Sequence, residues 1–410
     1  MQQTGRMLTP REALDVILGQ VQRLPTERVG LLEAAGRVLA EPVVAPEDHP
    51  PFPAATMDGF AVIHDDTSPW REIIGEQFAG HVVDVTVTPG TAVRITTGAP
   101  LPPGADAVVP VEDVEVVDDH VVIRRETVRP GENVRPVGID VRRGELVIPA
   151  GTVLGPAEIG LLASLGISSV AVSRRPRVSV LSTGDELVEP DAPLGPGQIR
   201  DSNRFMLVAA ARQAGAEVVW SGRGPDDVEQ LTALLRERIA ESDVVVSSGG
   251  VSVGERDLIS AALRTLGTVH IERLFMKPGK PFHFVTAGST LVFGLPGNPV
   301  SALVGFEIFV ATALRAMTGQ QPVEPELVTV VLEHDIEPGD RIEYQRAVVR
   351  CDADGVLRAR NTGPQASARL LSAVGANAYV IVPPRAEPYR AGERLVAILR
   401  GPVRGMAERA

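Results

Sequence analysis

Between Arg177 and Leu266 the chain repeats one pattern three times: a short β-branched apolar run, a polar turn, then a stretch of helical period. The runs are VSVLS, EVVWSG and DVVVSS, and the helical stretches are NRFMLVAAARQAG, DDVEQLTALLRERIA and ERDLISAALRTLG. Strands alternating with helices of this length predict a parallel sheet with helices on its faces. Further strands near HIERLFM, PFHFVTA and TLVFGLP and a long apolar helix, NPVSALVGFEIFVATALRAM, extend the unit. In such a sheet ligands bind outside the carboxyl ends of the strands, so the loops after the strands are where chemistry is expected.

The flanking sequence is of another kind. Thr9, Pro10 and Glu12 form a capping box that opens a helix REALDVILGQV, and a second helix is expected over ERVGLLEAAGRVLA. From Glu41 closely spaced prolines forbid helix, and HVVDVTVT, TAVRITTG, DAVVPVEDVEVV and HVVIRRETV alternate apolar with polar residues between turns, the pattern of an all-β module. GPAEIGLLASLGI returns to helix and is expected to pack with the N-terminal pair, which would make the β module an insertion. After Gln320, ELVTVVLEHDI, EYQRAVVRCDADGVLRARN and ERLVAILR predict a second β module with a hairpin at Asp-Gly.

With 410 residues the chain needs several domains. Its formal net charge of −12 argues against a general nucleic-acid or membrane-surface binder, so any anionic ligand must rely on local cations. Cys351 is the single cysteine, which excludes disulfides and a thiolate metal site and suits a reducing compartment. The N-terminus has no apolar signal region, and no apolar run is expected to reach the length of a membrane helix, so the expected location is cytoplasmic. The seven histidines share no metal spacing.

Three loops fall at the carboxyl ends of strands. One holds Ser182, Thr183 and Glu186, the next Asp226 and Asp227, and the third, SSGGVSVGERD, holds Ser248, Gly249, Gly250, Ser252, Gly254 and Asp257. Glycines at 249, 250 and 254 let backbone N–H groups approach an oxyanion, helped by a helix starting near Glu255. The carboxylates of Glu186, Asp226 (or Asp227) and Asp257 suit a hard divalent cation such as Mg²⁺ bridging to phosphate. A Gly-rich turn can equally be only a turn. MKPGKPF aims Lys277 and Lys280 from one rigid turn, although out of context two such lysines are simply solvated. GLPGNPVS supplies Pro296, Asn298 and Pro299, where helix capping by Asn298 would account for most of the motif. Asp58 in PFPAATMDGFAV reads as a turn residue, and Thr96 and Thr97 offer hydroxyls at a strand end.

Taken together, PFPAATMDGFAV, TTGAP, ENVRPVGID, STGDEL, SSGGVSVGERD, KPGKP and GLPGNPVS, in this order, resemble the molybdopterin molybdotransferase family, which includes the enzyme domain of gephyrin. The resemblance spans nearly the whole chain and implies a helical segment from 1–47 and 141–174, an inserted β domain over 48–140, a three-layer α/β pterin-binding domain over 175–322 and a β barrel over 323–410. It implies insertion of molybdate into adenylylated molybdopterin, with Mg²⁺-dependent cleavage of the pyrophosphate and release of AMP. It further implies an elongated homodimer with composite active sites, supplied by a molybdopterin adenylyltransferase. By the same resemblance Glu186, Asp226 and Asp257 would hold the metal, Lys277 and Lys280 would neutralise oxyanion charge, Asp58, Thr97 and Asp140 would come from the inserted domain, and Arg346 and Ser367 would line a molybdate pocket. Three positions depart from the family pattern: Phe60 replaces a common tyrosine, Ala366 a frequent glycine, and Arg273 a lysine of some relatives. Two other classes share part of this pattern: an adenylyltransferase, which has the pterin-binding domain but is much shorter, and an idle pterin-binding scaffold, which predicts loss of the carboxylates retained here.

Overall fold

A computed structural model of the protein describes residues 6–250 and 258–405. The chain forms two compact units, one of Met1–Ala40, Ala150–Gly155 and Ser169–Ala410 and one of Glu41–Pro149 and Pro156–Ser168.

The first unit is built on a six-stranded sheet. Its order is Glu217–Gly224, Arg177–Thr183, Val244–Ser248, Thr290–Leu295, Pro281–Ala287, Thr268–Arg273. The first four strands are parallel, and the last two join antiparallel. Side chains alternate across it: Val178, Val180, Val244 and Val246 pack into one core, while Leu181 and Val245 pack with Leu231, Leu235, Ile259 and Leu263 on the other face. Burial on both faces is why these strands read as continuous apolar runs. The helices Ser202–Gln213 and Val228–Glu241 lie as expected, and the third is described from Leu258 to Leu266.

The long helix runs Pro299–Gly305, a π-helical turn Phe306–Val310, and Ala311–Thr318. By length and composition it could cross a membrane, but 89% of its apolar window is buried inside the protein. This corrects the expectation that no run reaches that length. Glu307 and Arg315 interrupt the segment in sequence, yet the helix carries both within the fold.

The C-terminal strands Ile342–Cys351, Leu357–Asn361, Leu327–Leu332, Arg394–Leu399 and Ala378–Val382 close on one another as a five-stranded barrel. The Asp-Gly hairpin is present, with Gly355 at φ +77. Ala378–Val382 was not foreseen. At the N-terminus the helix Pro10–Leu18 keeps its full capping box. The second expected helix is mostly absent: Thr26–Gly30 is a strand paired antiparallel with Ser169–Ser173, and only Leu31–Ala34 is helical. Cross-strand pairing overrides a helical period in that segment.

The second unit carries a sheet ordered Ala107–Pro110, Gly59–Val62, Thr91–Ile95, Arg71–Gln77, His120–Ile123, Val114–Val117. HVVDVTVT, at 81–88, is not a strand. Its valines 83, 85 and 87 pack onto the sheet core without joining a ladder, since alternation reports which side chains face inward and not which backbone is paired. The helix Pro156–Ser164 belongs to this unit, where Leu161 and Leu165 pack with Ala45 and Val141; the expectation that it joins the N-terminal helix is corrected.

Candidate active site

At the carboxyl ends of the parallel strands a cavity of about 970 Å³ opens, bordered by the loop Ser182–Leu187, Asp226, the turn Ser248–Gly250, the start of the helix Ser202–Gln213 and Pro296–Pro299. The parallel registers bring Ser182 level with Ser248 and Leu295, and Thr183 level with Gly224, so chain-distant loops share one edge.

Gly249 and Gly250 sit at φ +92 and +63, and a Cβ on Gly249 would lie 2.6 Å from the Thr183 carbonyl oxygen. Glycine is therefore required here both by backbone angle and by the closeness of the neighbouring chain. Thr183 is buried and its Oγ1 has no hydrogen-bond partner among the described residues, an expensive state that a ligand donor or acceptor would relieve. Ser182 and Ser248 behave differently. Ser182 donates to Asp201 Oδ2 at 2.5 Å, and Ser248 donates to Pro296 O at 3.1 Å while accepting from Asn203 Nδ2 at 2.8 Å. Both hydroxyls therefore brace the loops.

Asn203 also donates to Gly297 O at 2.7 Å, which fixes its Nδ2 toward that carbonyl and leaves Oδ1 buried without a partner among the described residues. Asn298 occupies the position before the helix Pro299–Gly305 but makes no capping hydrogen bond. Its Nδ2 donates instead to Ser367 Oγ at 3.1 Å, joining the cavity to the barrel loop, so capping does not account for the motif.

The carboxylates gather on one wall. Asp226 Oδ2 accepts from the Asp185 N–H at 2.9 Å, and burial, then the neighbouring Asp185 and Glu186 carboxylates, hold its pKa above the ordinary aspartate value. Asp227 is turned away to cap the next helix, accepting from Gln230 N–H at 2.9 Å, so Asp226 is the one that borders the cavity. Like charges that raise a pKa are the electrostatic mark of a place suited to a cation. Among the described residues no three His, Cys, Asp or Glu side chains form a ligand set. Asp257, Ser252, Gly254 and the helix start near Glu255 lie outside the described residues.

Lys277 is not a freely solvated lysine: its Nζ donates to Glu343 Oε1 at 2.8 Å, and Glu343 is buried and also held by Gln345 at 3.0 Å. Lys280 is exposed on the same turn. Arg346 is only 1% exposed, and among the described residues its side chain donates to neutral acceptors, Ser372 Oγ, Tyr344 O and Ala366 O, at 3.1 to 3.4 Å. Burial pushes its pKa down, as expected for a desolvated cation lacking a direct counter-ion. Arg346 and Ser367 thus meet in one loop cluster through Ala366.

In the second unit Thr97 donates to Asp58 Oδ1 twice, from its backbone N–H at 2.7 Å and its hydroxyl at 2.8 Å, and these bonds hold the Asp58 pKa below the usual range. Asp58 is thus more than a turn residue. Asp140 is paired with Arg135, whose hydrogen bond and charge lower the Asp140 pKa.

Asn203, Asp201 and Glu343 were not anticipated. Asn203 and Asp201 follow their strand after a long excursion, but a helix that follows a parallel strand still begins at the ligand edge, and that rule could have found them. Nothing in EYQRAVV marks Glu343, because its partner lies far off in sequence.

Three family models match: "MoeA N-terminal region (domain I and II)" over residues 8–166, "Probable molybdopterin binding domain" over 179–316, and "MoeA C-terminal region (domain IV)" over 329–399. A molybdopterin molybdenumtransferase of Haemophilus influenzae is 36% identical over 94% of this chain and 97% of its own. Gephyrin of Dictyostelium discoideum is 34% identical over 96% of this chain, which spans 62% of gephyrin. The crystal structure of the molybdopterin biosynthesis MoeA protein of Pyrococcus horikoshii matches with a TM-score of 0.82 at 32% identity, over 96% of this chain and all of that one.

Proposed function

Because the chain belongs to the MoeA family of molybdopterin molybdenumtransferases, we propose that it transfers molybdenum from molybdate to adenylylated molybdopterin, cleaving the pyrophosphate and releasing AMP. The observation that carries this reading is the juxtaposition at one cavity of a glycine turn open to an oxyanion, the unpartnered Thr183 hydroxyl, and carboxylates whose mutual repulsion calls for a cation.

In this reading the Gly249–Gly250 backbone and Thr183 hold the phosphate end of the substrate. Asn203 offers its Oδ1 to a donor on the same molecule, and Ser182, Ser248 and Asn298 hold the loops that present them. Glu186 and Asp226 would hold Mg²⁺, together with Asp257. Mg²⁺ so bound would neutralise charge on the pyrophosphate oxygens. Arg346, with Ser367 beside it, would receive molybdate, since a buried guanidinium with only neutral partners gains most from an oxyanion. Lys277 would shift between Glu343 and that oxyanion, and the exposed Lys280 adds charge at the mouth. The chain would act in the cytoplasm as a homodimer, in which Asp58, Thr97 and Asp140 of one copy serve the cavity of the other, and a molybdopterin adenylyltransferase would supply the substrate. The retained Glu186 and Asp226 favour catalysis over an idle scaffold.

The test is to incubate purified protein with adenylylated molybdopterin, molybdate and Mg²⁺. AMP release in step with molybdenum insertion is expected. Intact adenylylated substrate after incubation with molybdate and Mg²⁺ would overturn the reading.

A further inference from the structure

A second cavity, of about 250 Å³, lies beside residues 173–175 at the amino end of the strand Arg177–Thr183, whereas the large cavity lies at that strand's carboxyl end. It is bounded by Gly36–Val38, the end of the helix Ser202–Gln213, and the last turn of the long apolar helix. Among the described residues three arginines line it, Arg37, Arg175 and Arg315, and no aspartate or glutamate does, in a chain whose formal net charge is −12. Such a local excess of cations against the global charge focuses anions.

The three arginines differ in how far they are satisfied. Arg37 is 9% exposed and paired with Glu27, and it also donates to Ser173 O at 2.9 Å. Arg315 donates to Val323 O at 2.7 Å and Thr312 Oγ1 at 3.0 Å, both neutral, and no carboxylate pairs with it among the described residues. Burial pushes its pKa down. Arg175 is exposed at the rim, with no ion-pair partner among the described residues.

An arginine in the last turn of a helix can serve only to offset the helix dipole. Here the terminal carbonyls are already engaged: Ala214 N–H bonds Ala210 O and Arg212 O, Gly319 N–H bonds Ala316 O and Arg315 O, and Gln320 N–H bonds Arg315 O. Arg315 lines this cavity and also the neighbouring one that Glu307 borders, and among the described residues no carboxylate pairs directly with its guanidinium. Gln213, Thr318 and Gln320 add neutral hydrogen-bonding side chains around the same space.

We propose that this cavity is a binding site for a small multivalent oxyanion, phosphate or the phosphate group of a small metabolite, gripped between Arg175 and Arg315. Its size excludes a dinucleotide or an adenylylated pterin, so it is separate from the catalytic cavity and independent of the reaction assigned there. Two planar guanidinium forks suit the oxygens of a phosphate better than a monovalent halide.

The test titrates inorganic phosphate and glycerol 3-phosphate into the full chain at constant ionic strength, with chloride as the balance, and follows the melting temperature. Wild-type protein should show a saturable rise. In Arg175→Gln and Arg315→Gln the midpoint should move up by about tenfold or more, the effect of losing a charge-assisted contact. Arg315→Lys, which keeps the charge and loses the fork, should fall between. Since Arg175 is exposed, its variant decides the matter if Arg315→Gln fails to fold. A midpoint unchanged by Arg175→Gln, or phosphate acting no differently from chloride, overturns the proposal. A lower midpoint for glycerol 3-phosphate assigns the site to a metabolite, and equal midpoints assign it to free phosphate.

Discussion

Asp226 shows how one side chain couples stability to function. Its folded-state pKa is raised by burial and by Asp185 and Glu186, so the folded chain holds that proton more tightly than the unfolded chain. The stabilisation is complete below the ordinary aspartate value and is lost as pH rises through the raised one. Asp226→Asn removes the charge and keeps the shape. It should melt above wild type near neutral pH without added metal and match wild type below about pH 3.5, where the carboxylate is protonated in both states. Millimolar Mg²⁺ should raise the wild-type melting temperature more than the variant's. A variant that melts below wild type at neutral pH would mean that the Asp185 N–H bond outweighs the repulsion.

At the scale of elements, the long apolar helix and the barrel share apolar packing through Tyr379 and Ile398, and an ion pair adds to it. Arg400, just beyond the strand Arg394–Leu399, pairs with Glu307 in the π-helical turn through two bonds of 2.5 and 2.6 Å, and its guanidinium lies 4.8 Å from the centre of the Tyr379 ring. Both side chains are largely shielded, 15% and 27% exposed. Glu307→Gln leaves the arginine without its anion and should cost about 3 kcal/mol, toward the low end for a buried pair because Glu307 keeps some solvent. The double variant Glu307→Met, Arg400→Met should recover most of that loss, because no buried charge remains. Urea unfolding of each chain measures both, and a double variant as weak as Glu307→Gln would show that the pair's value is geometric.

At the scale of the whole molecule, Asp58 and Thr97 belong to one compact unit and the large cavity to the other. On the proposed homodimer with shared sites, Asp58→Ala and Asp226→Ala are each inactive but complement on mixing, because a mixed dimer has one intact site and one doubly altered site. Random re-pairing makes about half the dimers mixed, so recovery should approach roughly a quarter of wild-type activity for this two-fold geometry. Differently tagged chains verify the exchange. Mixed dimers with no recovered activity would place each site within one chain and assign Asp58 to folding.

Much of this was readable in the residues. The βα units, the capping box at Thr9 and Glu12, the Asp-Gly hairpin and the glycine turn at 249–250 are written locally, because period, caps and positive φ depend on neighbours a few residues apart. The ordered motifs also carried the family resemblance. Other features were settled only by contacts between distant segments. Thr26–Gly30 is a strand because Ser169–Ser173 lies beside it, and 81–88 is not one because no ladder reaches it. Asp226 faces the cavity and Asp227 caps a helix, although the two are adjacent and chemically identical. Lys277 finds Glu343, and Asn298 finds Ser367, across more than sixty positions. Sequence determined which backbone conformations were available, while the closing of sheet and barrel decided which polar groups lost water and therefore had to find one another.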